Sequence, residues 1–215
     1  MDFSTITSDL LSGFFENLKL FGLTLAFSLP LGLLVSFCSM SKIPPIRWLA
    51  KTVVWIIRGT PLMLQLFLVF FVPGIVFDAP LKTRFTAALI AFVINYSAYF
   101  SEIYRGGIES IPVGQHEAGM VLGMTRKQIF FKVVLMQVVK KIIPPMSNEI
   151  ITLVKDTSLA FSLAVLEMFT IAKQISSSMT SMMPFVVAGL FYYIFNFVVA
   201  GGMAFIEKKL NYYRG

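Results

Sequence analysis

The sequence predicts an all-α integral membrane protein of about five transmembrane helices, with a short cytoplasmic helix between the third and the fourth. Three observations lead there. First, hydrophobic residues make up 57% of the 215-residue chain and charged residues only 13%, with a mean hydropathy of +0.80. Soluble domains carry about 25% charged and about 45–50% apolar residues, so this chain has too little polar surface to cover a water-exposed globule. Second, five runs approach the roughly 20 mostly apolar residues that a bilayer-crossing helix needs. Third, the bases behind the net charge of +7 fall in short loops between those runs. Anionic headgroups and membrane orientation explain that placement, and no segment is basic enough to be a nucleic-acid arm. The whole chain, 1–215, reads as a single membrane domain.

Taken in order, the acidic start (Asp2, Asp9, Glu16) lacks the positive n-region of a cleavable signal peptide. The first run, about Phe14 to Met40, is therefore expected to be retained. "SKIPPIRWLAK", Ser41 to Lys51, is a turn leading into a basic, amphipathic stretch expected along the inner headgroups, with Trp48 as an anchor. "RGTPL" suggests Thr60 as an N-cap with Pro61 in the first helical position, opening a second run to about Phe77. The third run covers about Phe85 to Tyr104, and Glu102 and Arg105 near its end can pair on one helix face. Gln65 and Asn95, inside apolar runs, suit helix–helix hydrogen bonds, a pore-lining role being the alternative. The fourth run, about Leu135 to Val154, holds Gln137, Lys140, Lys141, Asn148 and Glu149, which should face protein, water or headgroups. Pro144 and Pro145 within it predict a kink or break. The fifth run is about Pro184 to Ile206.

Five spans put the termini on opposite sides of the membrane. With the N-terminus outside, 13 of the 18 basic residues, from Lys42 to Arg214, lie on the inner side. The positive-inside rule therefore expects a cytoplasmic C-terminus and a cytoplasmic loop at about 105–132.

That loop contains "HEAGMVLGMTRKQIF". A helix over about Gln115 to Leu122 would place Glu117 in its first turn, favourable for the dipole, with Ala118, Val121 and Leu122 on an apolar stripe. Gly119 would let another backbone approach, and Gly123 suits a left-handed C-terminal cap. Thr125-Arg126-Lys127-Gln128 fits a capping box opening a second helix. Two readings are open: an interfacial connector without a partner, or a short helix presented to a cytoplasmic partner.

"KDTS", Lys155 to Ser158, is the second constellation. An amino acid zwitterion wants donors for its carboxylate and an acceptor for its ammonium. Lys155, or backbone N–H groups of a helix starting at Ser158, could supply the first, and Asp156 the second. A plain N-cap at Asp156 or Thr157, with Lys155 snorkelling to headgroups, is the other reading.

Absences narrow the class. There is no G-x-x-x-x-G-K-[ST] for ATP, no H-E-x-x-H, and no Cys/His cluster around the lone Cys38 and His116. An intramembrane enzyme is not expected.

"EAGMVLGM" resembles the EAA loop of binding-protein-dependent ABC importer permeases. The wider run from Arg105 to Met168, together with "RGTPLMLQLFLVFF", is similar to the polar amino acid branch of that family. The resemblance implies a type I importer-like permease of the bacterial cytoplasmic membrane that carries a polar amino acid. It implies a second permease subunit, identical or homologous, a pair of ATP-binding subunits that hold ATP and Mg²⁺, and an extracellular substrate-binding protein. This chain would itself need no cofactor or metal. Carried over, Glu117, Ala118, Gly119 and Gly123 belong to a coupling helix: Glu117 meets a base on the ATPase, Ala118 and Gly119 allow close docking, and Gly123 makes the turn. The KDTS run would lie on the translocation path, so Lys155, Asp156, Thr157 and Ser158 are the substrate-site candidates. Two positions depart from the family pattern: Gly119 replaces the second alanine, and Met136 replaces a proline after "VVL". An ion-coupled transporter or channel, using Glu149 or Asp156 as its coupling acid, is the rival. A membrane scaffold that transports nothing is another.

Overall fold

The computed structural model describes residues 3–210. Asp2, part of the acidic start, and Arg214, one of the inner-side bases, lie outside those residues. The described chain is helical throughout, with no strand among its elements.

Helix α1, Phe3–Ser39, would be about 55 Å long at about 1.5 Å per residue, well beyond the hydrocarbon thickness of about 30 Å. Its buried face repeats small or polar residues almost every fourth position: Gly13, Asn17, Thr24, Ser28, Gly32, Ser36. Apolar side chains cannot drive helix association in lipid, which already solvates them; small residues do it by letting backbones approach. The matching face of α4, Arg84–Glu109, carries Ala87, Ala88, Ala91 and Ala98. At Gly32 the two helices fit tightly, since a Cβ there would lie 2.9 Å from Phe100 Cβ and 3.0 Å from the Ser97 carbonyl. The opposite face of α1 exposes Phe15, Phe27, Leu34 and Phe37.

Helix α2, Pro44–Arg58, is amphipathic as expected, and leaves Trp48 70% and Trp55 77% exposed. It meets α3, Leu62–Phe77, at a bend of 109° across Gly59-Thr60-Pro61. Thr60 is not the cap of α3, contrary to the sequence reading. Pro61 takes that place in an extended conformation, and the Thr60 hydroxyl turns back to the carbonyls of Ile56 and Ile57, which the end of α2 leaves without helical partners. Helix α4 opens on a side-chain cap that the sequence reading did not single out, Thr83 Oγ1 accepting from the Thr86 N–H.

After α4 come α5, Val113–Val121, and α6, Arg126–Ile129, then a π-helical turn over Phe130–Val134. Helix α7, Leu135–Asp156, contains Pro144 and Pro145 without a break. The two missing N–H groups free the carbonyls of residues 140 and 141, whose lysines mark a polar environment, and both prolines are exposed. The irregular turns flank the prolines instead: the π turn before α7, and a 3₁₀ segment, Thr157–Leu163, directly after it. Helices α8, Met168–Met179, and α9, Met183–Leu210, finish the chain.

Three helices, α1, α4 and α9, are long and apolar enough to cross a membrane, and the bent pair of α2 and α3 makes a fourth if it is one span. The count of five is thus not reached by length and composition, because α7 carries too many polar and charged residues. The larger core joins α1, α3, α4 and α7 around Phe92, Tyr96, Phe100 and Leu153; a smaller one joins the start of α1 to α8 and α9 around Leu10, Met168 and Ala188.

Candidate functional site

Three features of the fold carry polar chemistry. The first is a cavity of about 360 Å³ between the α2–α3 elbow, α4 and α7, lined by Thr60, Pro61, Asn95, Tyr96, Tyr99, Glu149, Thr152 and Asp156 among others. Glu149 and Asp156 stand seven residues apart, two turns of α7, and so share a face. The Tyr96 hydroxyl donates to Asp156 Oδ2 at 2.8 Å. Among the described residues, no lysine or arginine lines the cavity. The nearby Arg58 stacks on Tyr99, 5.2 Å from the ring centre, and stands 3.7 Å from the Glu102 carboxylate. Glu102 also pairs with Arg105 at 2.6 Å, as its spacing predicts, and Arg105 goes on to Glu109.

The KDTS run is divided by the helix that holds it, since consecutive helical residues point about 100° apart. Asp156 reaches this cavity. Lys155 and Ser158 line a different groove of about 370 Å³ with Phe169, Phe185, Gly189 and Tyr192. Thr157 is buried, donating to the Val154 carbonyl and accepting from Asn17. No new helix begins at Ser158. The α-helix tightens into the 3₁₀ segment without interruption, so no helix N-terminus is presented there, and neither Asp156 nor Thr157 serves as a side-chain cap. Both the broken-helix and the simple-cap readings are thereby corrected.

The second feature is the loop between α4 and α7. Pro112 starts α5 two residues earlier than expected, so Glu117 lies beyond its first turn. Gly123, at φ +71°, makes the left-handed turn, and Thr125 and Gln128 form the reciprocal capping box. Glu117 and Ala118 are exposed, as are Val121 at 88% and Leu122 at 78%. Gly119 faces the other way: it is buried, and a Cβ there would lie 2.6 Å from Ile129 Cγ1. Its smallness serves the packing of α5 on α6 within the chain. Two bonds lash the loop to α7: Lys141 Nζ donates to the Ser110 carbonyl at 2.7 Å, and Gln137 Nε2 to Gln115 Oε1 at 3.3 Å.

The third feature escaped the sequence reading. Glu167, 1% exposed, caps α8 by accepting from the N–H groups of Phe169 and Thr170, and also accepts from the Thr170 hydroxyl, Asn17 Nδ2 and the Tyr192 hydroxyl. Asn17 Oδ1 in turn accepts from the Met168 N–H. An asparagine in the first apolar run was the available signal, but its partners lie 140 to 175 positions away. Glu167→Leu should strand these buried donors and cost about 2–4 kcal/mol. The check is the thermal unfolding midpoint in detergent, with Glu167→Gln falling between; an unchanged midpoint for the leucine variant would refute the assignment.

The family model for binding-protein-dependent transport system inner membrane components matches residues 28–212. The chain is 39% identical over 204 residues to the L-cystine transport system permease protein TcyB of Bacillus subtilis (strain 168), across 94% of this chain and 86% of that one. It is 32% identical over 219 residues to the arginine transport system permease protein ArtQ of the same organism, across 98% of each. Its structure superposes on a crystal structure of an amino acid ABC transporter with histidines at a TM-score of 0.87 and 30% identity, covering 97% of this chain and 99% of that one. An inward-facing MetNI methionine ABC transporter matches at a TM-score of 0.76 and 17% identity, over 98% of this chain and 100% of that one, a likeness of fold.

Proposed function

The chain belongs to the family of binding-protein-dependent transport system inner membrane components, and from that premise we propose that it is the permease subunit of an ATP-driven amino acid importer. The observation that carries the substrate reading is the cavity holding Glu149 and Asp156 with no base in its lining. Such a site attracts an ammonium group, and the Tyr99 hydroxyl is a donor for the carboxylate. The substrates for which TcyB and ArtQ are named, L-cystine and arginine, share this zwitterionic head. Of the four KDTS residues, Asp156 is the one that meets substrate in this reading.

The remaining parts follow from what the chain lacks. A second permease subunit, the same chain or a homologue, faces this one and completes the path. A pair of ATP-binding subunits, which hold ATP and Mg²⁺, docks on the loop around Glu117, Ala118, Val121 and Leu122; this chain supplies no catalytic residue. A binding protein delivers the amino acid from outside, where the N-terminus lies, and the C-terminus is cytoplasmic. Coupling runs through α7. Its 22 residues make a rod of about 33 Å from the loop that Lys141 and Gln137 lash down to Asp156 at the cavity. Displacing the loop when the ATPases close therefore displaces one wall of the cavity.

The test is uptake of radiolabelled L-cystine and L-arginine into proteoliposomes that hold permease, ATPase and binding protein. Uptake of at least one should require all three components and ATP. Uptake driven by an ion gradient without the ATPase would sink the reading in favour of a secondary transporter. Background uptake with every partner and ATP present would favour a scaffold.

A further inference from the structure

Gln65 and Asn95 form a buried amide pair beside the cavity, and only Asn95 lines it. A side-chain amide has one donor end and one acceptor end, so its neighbours decide which way it points. The surroundings of Gln65 leave no choice. Its nitrogen is met by three acceptors of the α2–α3 elbow: the Ile57 carbonyl at 2.8 Å, the Thr60 carbonyl at 3.1 Å and the Thr60 hydroxyl oxygen at 2.8 Å. Two of these are carbonyls, which can only accept, so Nε2 must face the elbow and Oε1 must face α4. Asn95 then has to offer its own nitrogen, and Nδ2 donates to Gln65 Oε1 at 3.0 Å. With its nitrogen engaged there, Asn95 Oδ1 accepts from no other described residue and is free as a third acceptor beside Glu149 and Asp156 in the cavity lining.

We propose that Gln65 is a positioning residue for the permease: it relays the polarity of the elbow carbonyls to Asn95 and holds the Asn95 carbonyl oxygen toward the substrate's ammonium group. This rests on the reading of the cavity as the amino acid site. Without Gln65, the Asn95 amide can rotate and present its N–H₂ group, a donor that repels a donor. The elbow and the cavity are thus coupled through hydrogen-bond polarity, with Gln65 touching no substrate.

The experiment measures equilibrium binding of radiolabelled L-cystine and L-arginine to the purified permease–ATPase complex without binding protein, because uptake KM would report the binding protein's affinity. Gln65→Leu should weaken binding of the better ligand about tenfold. Gln65→Glu, whose acid form offers a donor to the elbow and an acceptor to Asn95, should bind within about threefold of the unaltered complex. In the double variant Gln65→Leu/Asn95→Leu, binding should be no weaker than in Asn95→Leu alone, since Gln65 acts only through Asn95. Independent losses that multiply, no loss in Gln65→Leu, or an equal loss in Gln65→Glu would each overturn the role. An unaltered complex that binds neither amino acid, yet assembles, would count against the amino acid reading itself and remove the basis of this role with it.

Discussion

Replacing Asp156 by asparagine is expected to reduce amino acid import at least thirtyfold while the protein still folds. Asparagine keeps an oxygen for the Tyr96 hydroxyl, so the hydrogen bond between α4 and α7 survives. What disappears is one of two negative charges in a cavity whose lining has no base. Removing one partner of a desolvated charge pair costs about 2–5 kcal/mol, and about 1.4 kcal/mol is tenfold in affinity. The measurement is direct binding to the permease–ATPase complex alongside ATP-driven uptake, with the unfolding midpoint as control. Asp156→Ala should be worse in stability as well, since it also strands the tyrosine. Import that survives Asp156→Asn unchanged would return this residue to a purely structural part.

Reversing the charge at Glu117 should have a comparable effect by a different route. Glu117 is exposed on α5 and makes no hydrogen bond or ion pair with another described residue, so Glu117→Lys should leave the permease's own stability within about 0.5 kcal/mol. It should nevertheless abolish co-purification with the ATP-binding subunit and reduce ATP-driven uptake to background. The acid sits beside Val121 and Leu122, the most exposed apolar residues of the loop, and a partner that covers them desolvates the acid too. A lysine would then face the base that Glu117 is proposed to meet, and like charges in a dry interface cost several kcal/mol. A compensating acid on the ATPase should restore assembly. If complex formation and transport both tolerate Glu117→Lys, the coupling role of this loop fails.

The parts of this loop that were legible in the sequence are those whose physics is local. Gly123 takes a positive φ because a left-handed residue ends the helix there, and Thr125 caps because Gln128 stands three residues on. Gly119 was misread for the opposite reason. Glycine permits a close approach, but only packing decides what approaches, and it is Ile129 of the same chain. The prolines show a similar limit. Pro144 and Pro145 remove two N–H donors from α7, yet a helix whose freed carbonyls lie among lysines tolerates that loss, whereas Gly59-Thr60-Pro61 turns the chain by 109°.

By itself the sequence determined that this chain is helical and lives in a membrane, because burial in lipid requires apolar runs with internally satisfied backbones. It also marked the polar loop and the acid at 156, since local caps and rare charges are visible without coordinates. Only the tertiary structure decided which polar groups meet. Asp156 joins Glu149 and Tyr96 while its neighbours Lys155 and Ser158 turn to another groove, because a helix distributes adjacent residues around its axis. Asn17 reaches Glu167 across 150 positions, and Gln65 reaches Asn95 across 30, because a bilayer offers a buried polar group no partner but another part of the chain.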